Sequence, residues 1–82
     1  MKISVTQHHI NNGRRASCNS DPIALALKDA GFYQPWVGPS HIAWRREFKD
    51  HSVETPEDVL GFMKKFDNGQ LVEPFEFELE ET

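Results

Sequence analysis

The sequence predicts an α+β fold, in which a three- to four-stranded antiparallel or mixed sheet has two main helices packed on one face. Three observations predict it: alternating apolar and polar residues near both ends of the chain, two segments with apolar residues at helical spacing, and turn residues between them. The 82 residues have room for one domain, residues 1–82. The apolar fraction of 38%, with six Phe and two Trp, is sufficient for a core without a cofactor.

A strand opens the chain, because the apolar residues Ile3 and Val5 alternate with polar neighbours. We expect a short helical turn after this strand, capped by the hydroxyl of Thr6. The Asn-Gly pair at 12–13 tolerates positive φ and is expected to end the turn, with Ile10 as its anchor to the core.

The first main helix begins after Ser20 or Asp21, either of which can cap it. Pro22 occupies the first helical position, where no N–H is needed. The helix is expected to run to about Ala30, and Gly31 stands where a left-handed residue often follows a helix. Its predicted apolar face consists of Ile23, Leu27 and Ala30.

Aromatic and β-branched residues then predict two strands, at 36–37 and 42–49, joined by the Gly-Pro-Ser turn at 38–40. Because side chains alternate along a strand, one face of the longer strand is expected to be apolar apart from a single arginine. That face comprises Ile42, Trp44, Arg46 and Phe48.

The second main helix has the most complete set of boundary signals. Thr55 is the expected N-cap, Pro56 the first helical residue, and the Asn-Gly pair at 68–69 the end of the helix. Apolar residues recur at helical spacing between these signals, which indicates one buried face. That face comprises Val59, Phe62, Met63 and Phe66.

The last predicted strand, at 75–79, has one apolar and one acidic face. Carboxylates two residues apart on a strand are separated by about 6.6–6.8 Å. This is close to the roughly 7 Å between successive phosphates of one DNA strand, which gives the hypothesis of a DNA-mimic inhibitor. Ordinary half-buried strands show the same alternation. The acidic positions are Glu73, Glu76, Glu78, Glu80 and Glu81.

No catalytic residue, metal site or cofactor is predicted. The histidines and the single Cys18 lack the short paired spacings of zinc sites, and the five glycines form no phosphate-binding loop. Cys18 precedes a helix start and follows two arginines, which favours a reactive thiol. A small thiol or hydrolytic enzyme centred on Cys18 and His9 is therefore a third hypothesis, beside the simpler interpretation of Cys18 as a small buried or half-buried thiol.

Charge is distributed unevenly along the chain. Residues 1–49 carry seven Lys or Arg against three acids, a net +4, whereas residues 50–82 carry two Lys against ten acids, a net −8. We expect one basic and one acidic surface if folding does not mix the two halves. The candidate binding residues are Trp44, Arg45, Arg46, Arg14 and Arg15 on the basic side and Glu76, Glu78 and Glu80 on the acidic side.

Cations and aromatic residues are interleaved at residues 44–49, as they are in proteins that bind single-stranded nucleic acids. The net charge of −4 and the pI of about 5.4 oppose binding to a polyanion. A nucleic-acid-associated module that uses these residues with the arginines at 14–15 is therefore an alternative to a protein-binding role.

A cytoplasmic protein without membrane association is expected. One cysteine cannot form an intramolecular disulfide, and the N-terminal residues lack the apolar segment of a secretory leader. The sequence also contains no apolar stretch of membrane-spanning length.

Four segments carry a resemblance: residues 2–13 (KISVTQHHINNG), 17–18 (SC), 22–27 (PIALAL) and 56–79, which includes FDNG and PFEFEL. They resemble a family of small uncharacterised proteins encoded by tailed bacteriophages and prophages. The resemblance implies expression in the cytoplasm of an infected bacterium and no known activity. Some members have a second cysteine three positions after the first, where this chain has Asp21, which argues against a family-wide metal or redox role for Cys18.

The leading hypothesis is a phage-encoded, non-enzymatic accessory protein that binds a host protein, such as a component of defence or replication. Its basis is the small size of the chain, the lack of a predicted catalytic site and the uneven charge. The oligomeric state stays open. An edge strand at 75–79 can pair two copies, whereas its acidic alternation opposes such pairing.

Overall fold

The computed structural model describes residues 1–80. In chain order its elements are β1 (Lys2–Val5), α1 (Gln7–Asn12), α2 (Pro22–Asp29), β2 (Tyr33–Val37), β3 (His41–Arg46), β4 (Lys49–Glu54), α3 (Glu57–Asp67) and β5 (Phe75–Glu78). The α+β class predicted from the sequence is confirmed. None of the helices in this part of the chain combines the length and the apolar character that are needed to span a bilayer.

The strands form two antiparallel sheets, whereas the sequence predicts one. β1 pairs with β5, and β2, β3 and β4 form a three-stranded meander in that order. β4 is absent from the sequence prediction because its residues are mostly polar and no turn residue marks the reversal before it. α2 packs against strands of both sheets, since it contacts β1 and β2 as well as α1.

One hydrophobic core joins the two sheets and the helices. Ile23 and Leu27 of α2 are completely buried, and the rings of Phe62 and Phe75 stack with centroids 4.8 Å apart, which fastens α3 to β5. Among residues 1–80, every buried side-chain nitrogen or oxygen has a hydrogen-bond partner. The polar groups in this core are therefore compensated for the loss of water.

Thr6 caps α1 as predicted, because its hydroxyl accepts a hydrogen bond from the N–H of His9. Ile10 packs partly buried against the core, but His9 is the buried residue of this helix. The helix ends at Asn12 with Gly13 as its C-cap, as expected, although Gly13 has φ −74° and does not use the positive φ that it tolerates. A Cβ at Gly13 would lie 2.5 Å from Cδ of Pro22, so glycine is required for the close approach of the chain to α2.

The boundaries of α2 agree with the sequence prediction. The carboxylate of Asp21 accepts a 2.7 Å hydrogen bond from the N–H of Ala24, and Pro22 is the first helical residue. Gly31 follows the helix with φ +98°, as expected for a left-handed residue. The predicted burial of Ala30 is wrong, because this residue is the exposed C-cap, one position beyond the helix.

The single strand predicted at 42–49 is two strands with a tight turn between them. The turn consists of Glu47 and Phe48, with φ of 52° and 65°. Trp44 is buried on the predicted face, but Arg46 is exposed and Phe48 is 96% exposed. The expected place of Phe48 in the apolar row is therefore wrong, because the chain reverses before the ring can reach the core.

The predicted cap of α3 is wrong, and the helix begins one residue later than expected. Pro56 is the N-cap residue and makes no side-chain cap hydrogen bond. The Thr55 hydroxyl instead donates a 2.7 Å hydrogen bond to the carbonyl of Gly38, which ties the start of α3 to the turn between β2 and β3. The predicted end is confirmed, with Asn68 as the C-cap and Gly69 at φ +77°.

The alternation predicted for the last strand is confirmed. Phe77 and Leu79 are buried and Phe75 is half-buried, whereas the glutamates at 76, 78 and 80 are exposed. The sheet formed by β1 and β5 therefore has one face in the core and one acidic face in contact with water. Glu81 of the predicted acidic row lies outside the described residues.

Candidate functional site

The reversal between β3 and β4 places an aromatic ring at the end of the hairpin. Arg46 pairs with Lys49 in the strand register, so the turn has only two residues, Glu47 and Phe48. Both have positive φ, as in a type I′ hairpin turn, which favours Asn-Gly. Because the left-handed conformation costs a residue with a Cβ roughly 1–2 kcal/mol, this turn is maintained against the local preference of two consecutive residues.

Two exposed rings lie at this end of the sheet. Phe48 is 96% exposed, and Tyr33 on the neighbouring strand is 66% exposed and pairs with Arg45. Burial of a Phe side chain stabilises a protein by about 1.5–3 kcal/mol relative to full exposure. The fold does not use this stabilisation for Phe48. We refer to residues 45–49 together with Tyr33 and Gln34 as the hairpin tip.

β2 is also irregular where it reaches the hairpin tip. The pairing register with β3 shifts between Tyr33 and Trp36, and Gln34 lies between them with φ of 49°. Bulges of this kind redirect side chains and are frequent next to functional sites. Among the described residues, three of the four non-glycine residues with positive φ belong to the hairpin tip: Gln34, Glu47 and Phe48.

The charges of the hairpin tip are mostly basic. Residues 45–49 carry three cations and one acid. Nε of Arg45 lies 3.5 Å from Oδ1 of Asp50, and the same guanidinium donates a long 3.4 Å hydrogen bond to the carbonyl of Phe48. Because both side chains of this ion pair are exposed, the pair contributes little to stability.

An open concavity of about 560 Å³ lies beside the turn. Its walls combine the two exposed rings with the two arginines, so an apolar group and an anion can be bound side by side. It is lined by Gly31, Tyr33, Gln34, Arg45, Arg46, Glu47 and Phe48. Tyr and Arg are enriched in protein interfaces, as are other aromatic residues, and the concavity has this composition.

Trp44, predicted from the sequence as a contact residue, is 4% exposed and belongs to the core. Its ring packs edge-on against Phe32 with centroids 5.1 Å apart and stacks on His51 with centroids 6.0 Å apart. The ring is thus covered by Phe32, the residue before β2, and by His51 of β4. The prediction of Trp44 as a binding residue is therefore wrong, whereas Arg45 and Arg46 are exposed as expected.

The arginines at 14–15 do not join the hairpin tip. The guanidinium of Arg15 lies against Gly69 at the end of α3. In the same loop the carbonyl of Cys18 accepts a hydrogen bond from the N–H of Val37, which is the opposite end of β2 from Tyr33. The arginines at 14–15 and the cations of the hairpin tip therefore form two separate groups.

The acidic row of β5 is partly neutralised by β1. Lys2 pairs with Glu78 in the sheet register, and the N-terminal ammonium lies 3.6 Å from the Glu78 carboxylate. The hydroxyl of Ser4 donates a 3.1 Å hydrogen bond to Glu76. Folding thus mixes the two halves of the chain at this sheet, and the expected separation into one basic and one acidic face is incomplete.

His9 is a buried structural residue, a role that the sequence does not predict. Its Nδ1 accepts a 2.9 Å hydrogen bond from the N–H of Thr6, so the proton is on Nε2, which contacts the Asp29 carboxylate at 2.5 Å. The signal available in the sequence is the spacing of Thr6 and His9, which matches the first and fourth residues of a capping box.

His9 and Cys18 are not arranged as a catalytic pair. His9 contacts Asp29 at the C-terminal end of α2, whereas Cys18 lies in the loop before its N-terminal end. Both ring nitrogens of His9 are already hydrogen-bonded. Cys18 is exposed, so its interpretation as a buried or half-buried thiol is wrong.

Within residues 1–80, no three His, Cys, Asp or Glu side chains are close enough to hold a metal ion together. Comparisons with models of protein families, with curated proteins and with solved structures give no match to this chain. The hairpin tip is therefore identified as a candidate site by its own geometry: two exposed rings, clustered positive φ angles and adjacent arginines.

Proposed function

We propose that this chain is a non-enzymatic binding protein that docks onto another protein through the hairpin tip. The observation that carries the proposal is the exposure of Phe48, which is 96% exposed on a turn where both residues have positive φ. Strained backbone persists where the surrounding structure enforces it, and it is concentrated at functional sites. A backbone that is already fixed in the turn loses little conformational entropy on binding.

The chemistry of the hairpin tip defines the partner surface. Phe48 and Tyr33 require an apolar depression, and the flanking cations Arg45, Arg46 and Lys49 require carboxylates around it. Such surfaces bind by a central aromatic contact, while the charged rim adds orientation and a faster association rate. We therefore propose a partner protein with an acidic rim around an apolar pocket.

The sequence resemblance supports the biological setting of this proposal. A small protein of a tailed bacteriophage or prophage acts in the bacterial cytoplasm, where host proteins are its available partners. We propose a component of host defence or replication, which gives the chain a role in host takeover or in counteracting defence. The net charge of −4 favours a protein partner over a polyanion.

The experiment is affinity capture from a bacterial lysate at physiological salt, with nuclease treatment, using the tagged wild-type chain and two variants. Phe48→Ala removes the exposed ring, and Leu71→Ala is the matched control because Leu71 is 97% exposed outside the hairpin tip. We expect one protein to be retained by the wild type and by Leu71→Ala, and to be reduced at least tenfold with Phe48→Ala. Equal recovery with all three chains, or no recovered protein, contradicts the proposal.

A second candidate function is binding of single-stranded nucleic acid at the same tip. It is supported by the position of the Tyr33 and Phe48 rings next to two exposed arginines, since bases stack on aromatic rings while cations contact phosphates. A gel shift with single-stranded DNA or RNA at low salt, lost with Phe48→Ala, supports this candidate. The absence of any shift with single- or double-stranded DNA or RNA removes it.

A further inference from the structure

A second surface of this protein has the chemistry that the hairpin tip requires. A hollow of about 470 Å³ lies between the end of β4 and the end of β5. Its floor is apolar, formed by Val53, Pro56 and the buried Leu79. Its rim carries three glutamates, one of which, Glu78, lies 3.6 Å from the N-terminal ammonium, so the net charge of the rim is still negative. We call it the acidic hollow, defined by Val53, Glu54, Pro56, Glu78, Leu79 and Glu80.

The hairpin tip and the acidic hollow lie at opposite ends of one strand. β4 begins at Lys49 in the tip and ends at Glu54 on the rim of the hollow. An antiparallel strand rises about 3.4 Å per residue, so these two residues are about 17 Å apart along β4. Because β4 is held straight by pairing with β3 along its whole length, one molecule cannot insert its own tip into its own hollow.

The two surfaces are complementary in polarity and in charge. An aromatic ring flanked by cations faces outward at one end, and an apolar floor surrounded by carboxylates is open at the other. Phe48 of one molecule can contact the floor of a second, while Arg45 and Arg46 face the rim carboxylates. Rim charges of this kind set orientation and association rate and make the contact sensitive to salt.

We propose that this protein associates head to tail, with the hairpin tip of one copy in the acidic hollow of the next. The inference rests on the proposed docking role of the tip and names a second copy of this chain as an occupant. The contact is heterologous, so each dimer keeps one tip and one hollow available and grows into longer assemblies or closes into a ring. A tip contacts only a small area, so the association is weak and depends on protein concentration.

Self-association of this kind covers the surface that is proposed to bind the partner. A copy whose Phe48 occupies another molecule's hollow cannot present the same ring to a partner protein. Partner binding and self-association therefore compete for the tip, and dilution or higher salt, which weakens the rim contacts, releases tips for the partner.

The test is sedimentation velocity of the full chain over a wide concentration range, at low and at high salt. We expect the weight-average mass to at least double with concentration at low salt and to stay monomeric at high salt. One variant, Arg45→Glu with Arg46→Glu, reverses the charge of the hairpin tip. Another, Glu78→Lys with Glu80→Lys, reverses the charge on the rim of the acidic hollow. Each variant alone is expected to remain monomeric, because tip and hollow then have the same charge.

Mixing the two charge-reversed variants provides the decisive control, because every tip then has an oppositely charged hollow in the mixture. We expect the mixture to recover the growth in mass seen for the wild type. Circular dichroism checks that each variant is folded. A wild type that is monomeric at all concentrations at low salt, a mass that rises equally in the single variants, or a mixture that stays monomeric overturns the inference.

The results also separate this inference from the proposed function. If the wild type is monomeric but Phe48→Ala loses a captured partner, self-association is wrong and the docking function stands. If mass growth follows the charge reversals but no partner is captured from lysate, the head-to-tail contact is supported and binding of a host protein is not.

Discussion

The helix α2 and the hairpin tip differ in how far each follows the local preferences of its residues. At α2, a capping carboxylate, a proline at the first position and a left-handed glycine all occupy the places that favour a helix. At the tip, two residues with large side chains have positive φ, and a phenylalanine ring is in water. The comparison shows that one region follows the local preferences of its residues, while another is held in a conformation that its own sequence does not favour.

Alanine substitutions of apolar residues are expected to give the largest difference in the free energy of unfolding between the two regions. Leu27 in α2 is completely buried, so Leu27→Ala should lower the free energy of unfolding by about 2–5 kcal/mol through lost burial and a cavity. Phe48→Ala should change it by less than about 0.5 kcal/mol, since the ring has almost no protein contacts to lose. Urea denaturation measures both. A large loss with Phe48→Ala would show that the ring packs against the protein.

Asp21, the N-cap of α2, is expected to make the free energy of unfolding of the protein depend on pH. Burial raises the pKa of Asp21 from 3.8 to about 7, opposed by the hydrogen bond from Ala24 and reinforced by the Asp67 carboxylate. Between these two values the folded chain keeps a proton that the unfolded chain releases, so stability should fall as pH rises from about 4 to about 7. The fall is up to about 4 kcal/mol, because one pKa unit corresponds to about 1.4 kcal/mol.

The variant Asp21→Asn isolates this contribution. Asparagine keeps an oxygen that can accept the hydrogen bond from Ala24 but has no titrating group. Subtracting its pH profile of unfolding free energy from that of the wild type leaves the contribution of Asp21. Parallel profiles for the two proteins would show that the buried carboxyl titrates normally.

Substitutions of the adjacent residues His8 and His9 measure how much the hydrogen bond between α1 and α2 stabilises the fold. His9 is 5% exposed and hydrogen-bonded to Thr6 and Asp29, so His9→Ala should lower the free energy of unfolding by roughly 1–2 kcal/mol. His8 is exposed, and His8→Ala should have an effect below about 0.5 kcal/mol. Thermal unfolding of the two variants in parallel measures the difference. Equal effects would mean that the interactions of His9 with Thr6 and Asp29 do not stabilise the fold.

The smallest effect is a gain in stability at the hairpin tip. Replacing Glu47 with Asn and Phe48 with Gly introduces the pair that a turn with two positive φ angles favours, which should raise the free energy of unfolding by about 0.5–1 kcal/mol. The same variant should lose partner binding in the capture experiment, because the ring is absent. A loss of stability would indicate that the turn is not strained in the wild type.

The same contrast explains which parts of the fold are predictable from sequence. α2 and the end of α3 depend on caps, prolines, glycines and apolar spacing within a few residues, so their boundaries follow from local rules. The reversal at Glu47 and Phe48 has no such signal, because it contains no glycine, proline or asparagine and Phe48 falls in the period-2 row of Ile42 and Trp44. The sequence therefore predicts one strand where there are two, and it places Phe48 on the apolar face.

The candidate site is only partly predictable for related reasons. The exposure of Arg45 and Arg46 follows from their charge. The burial of Trp44 follows from its period-2 row with Ile42, so its choice as a contact residue goes against that pattern. The hydrogen bond of His9 to Asp29, in contrast, joins residues twenty positions apart. Contacts between distant residues of this kind leave no periodic pattern, so single-sequence reasoning does not detect them.

The pairing of β1 with β5 has a consequence for folding kinetics. Lys2 pairs with Glu78 and Ile3 with Phe77, so this sheet closes a loop of more than seventy residues, whereas the β3–β4 hairpin closes a loop of two. Contacts between residues far apart in sequence form slowly, because the entropy of loop closure opposes them until the intervening chain is ordered. The hairpin that carries Phe48 can therefore form early, but on the ribosome the core is complete only when β5 has left the exit tunnel.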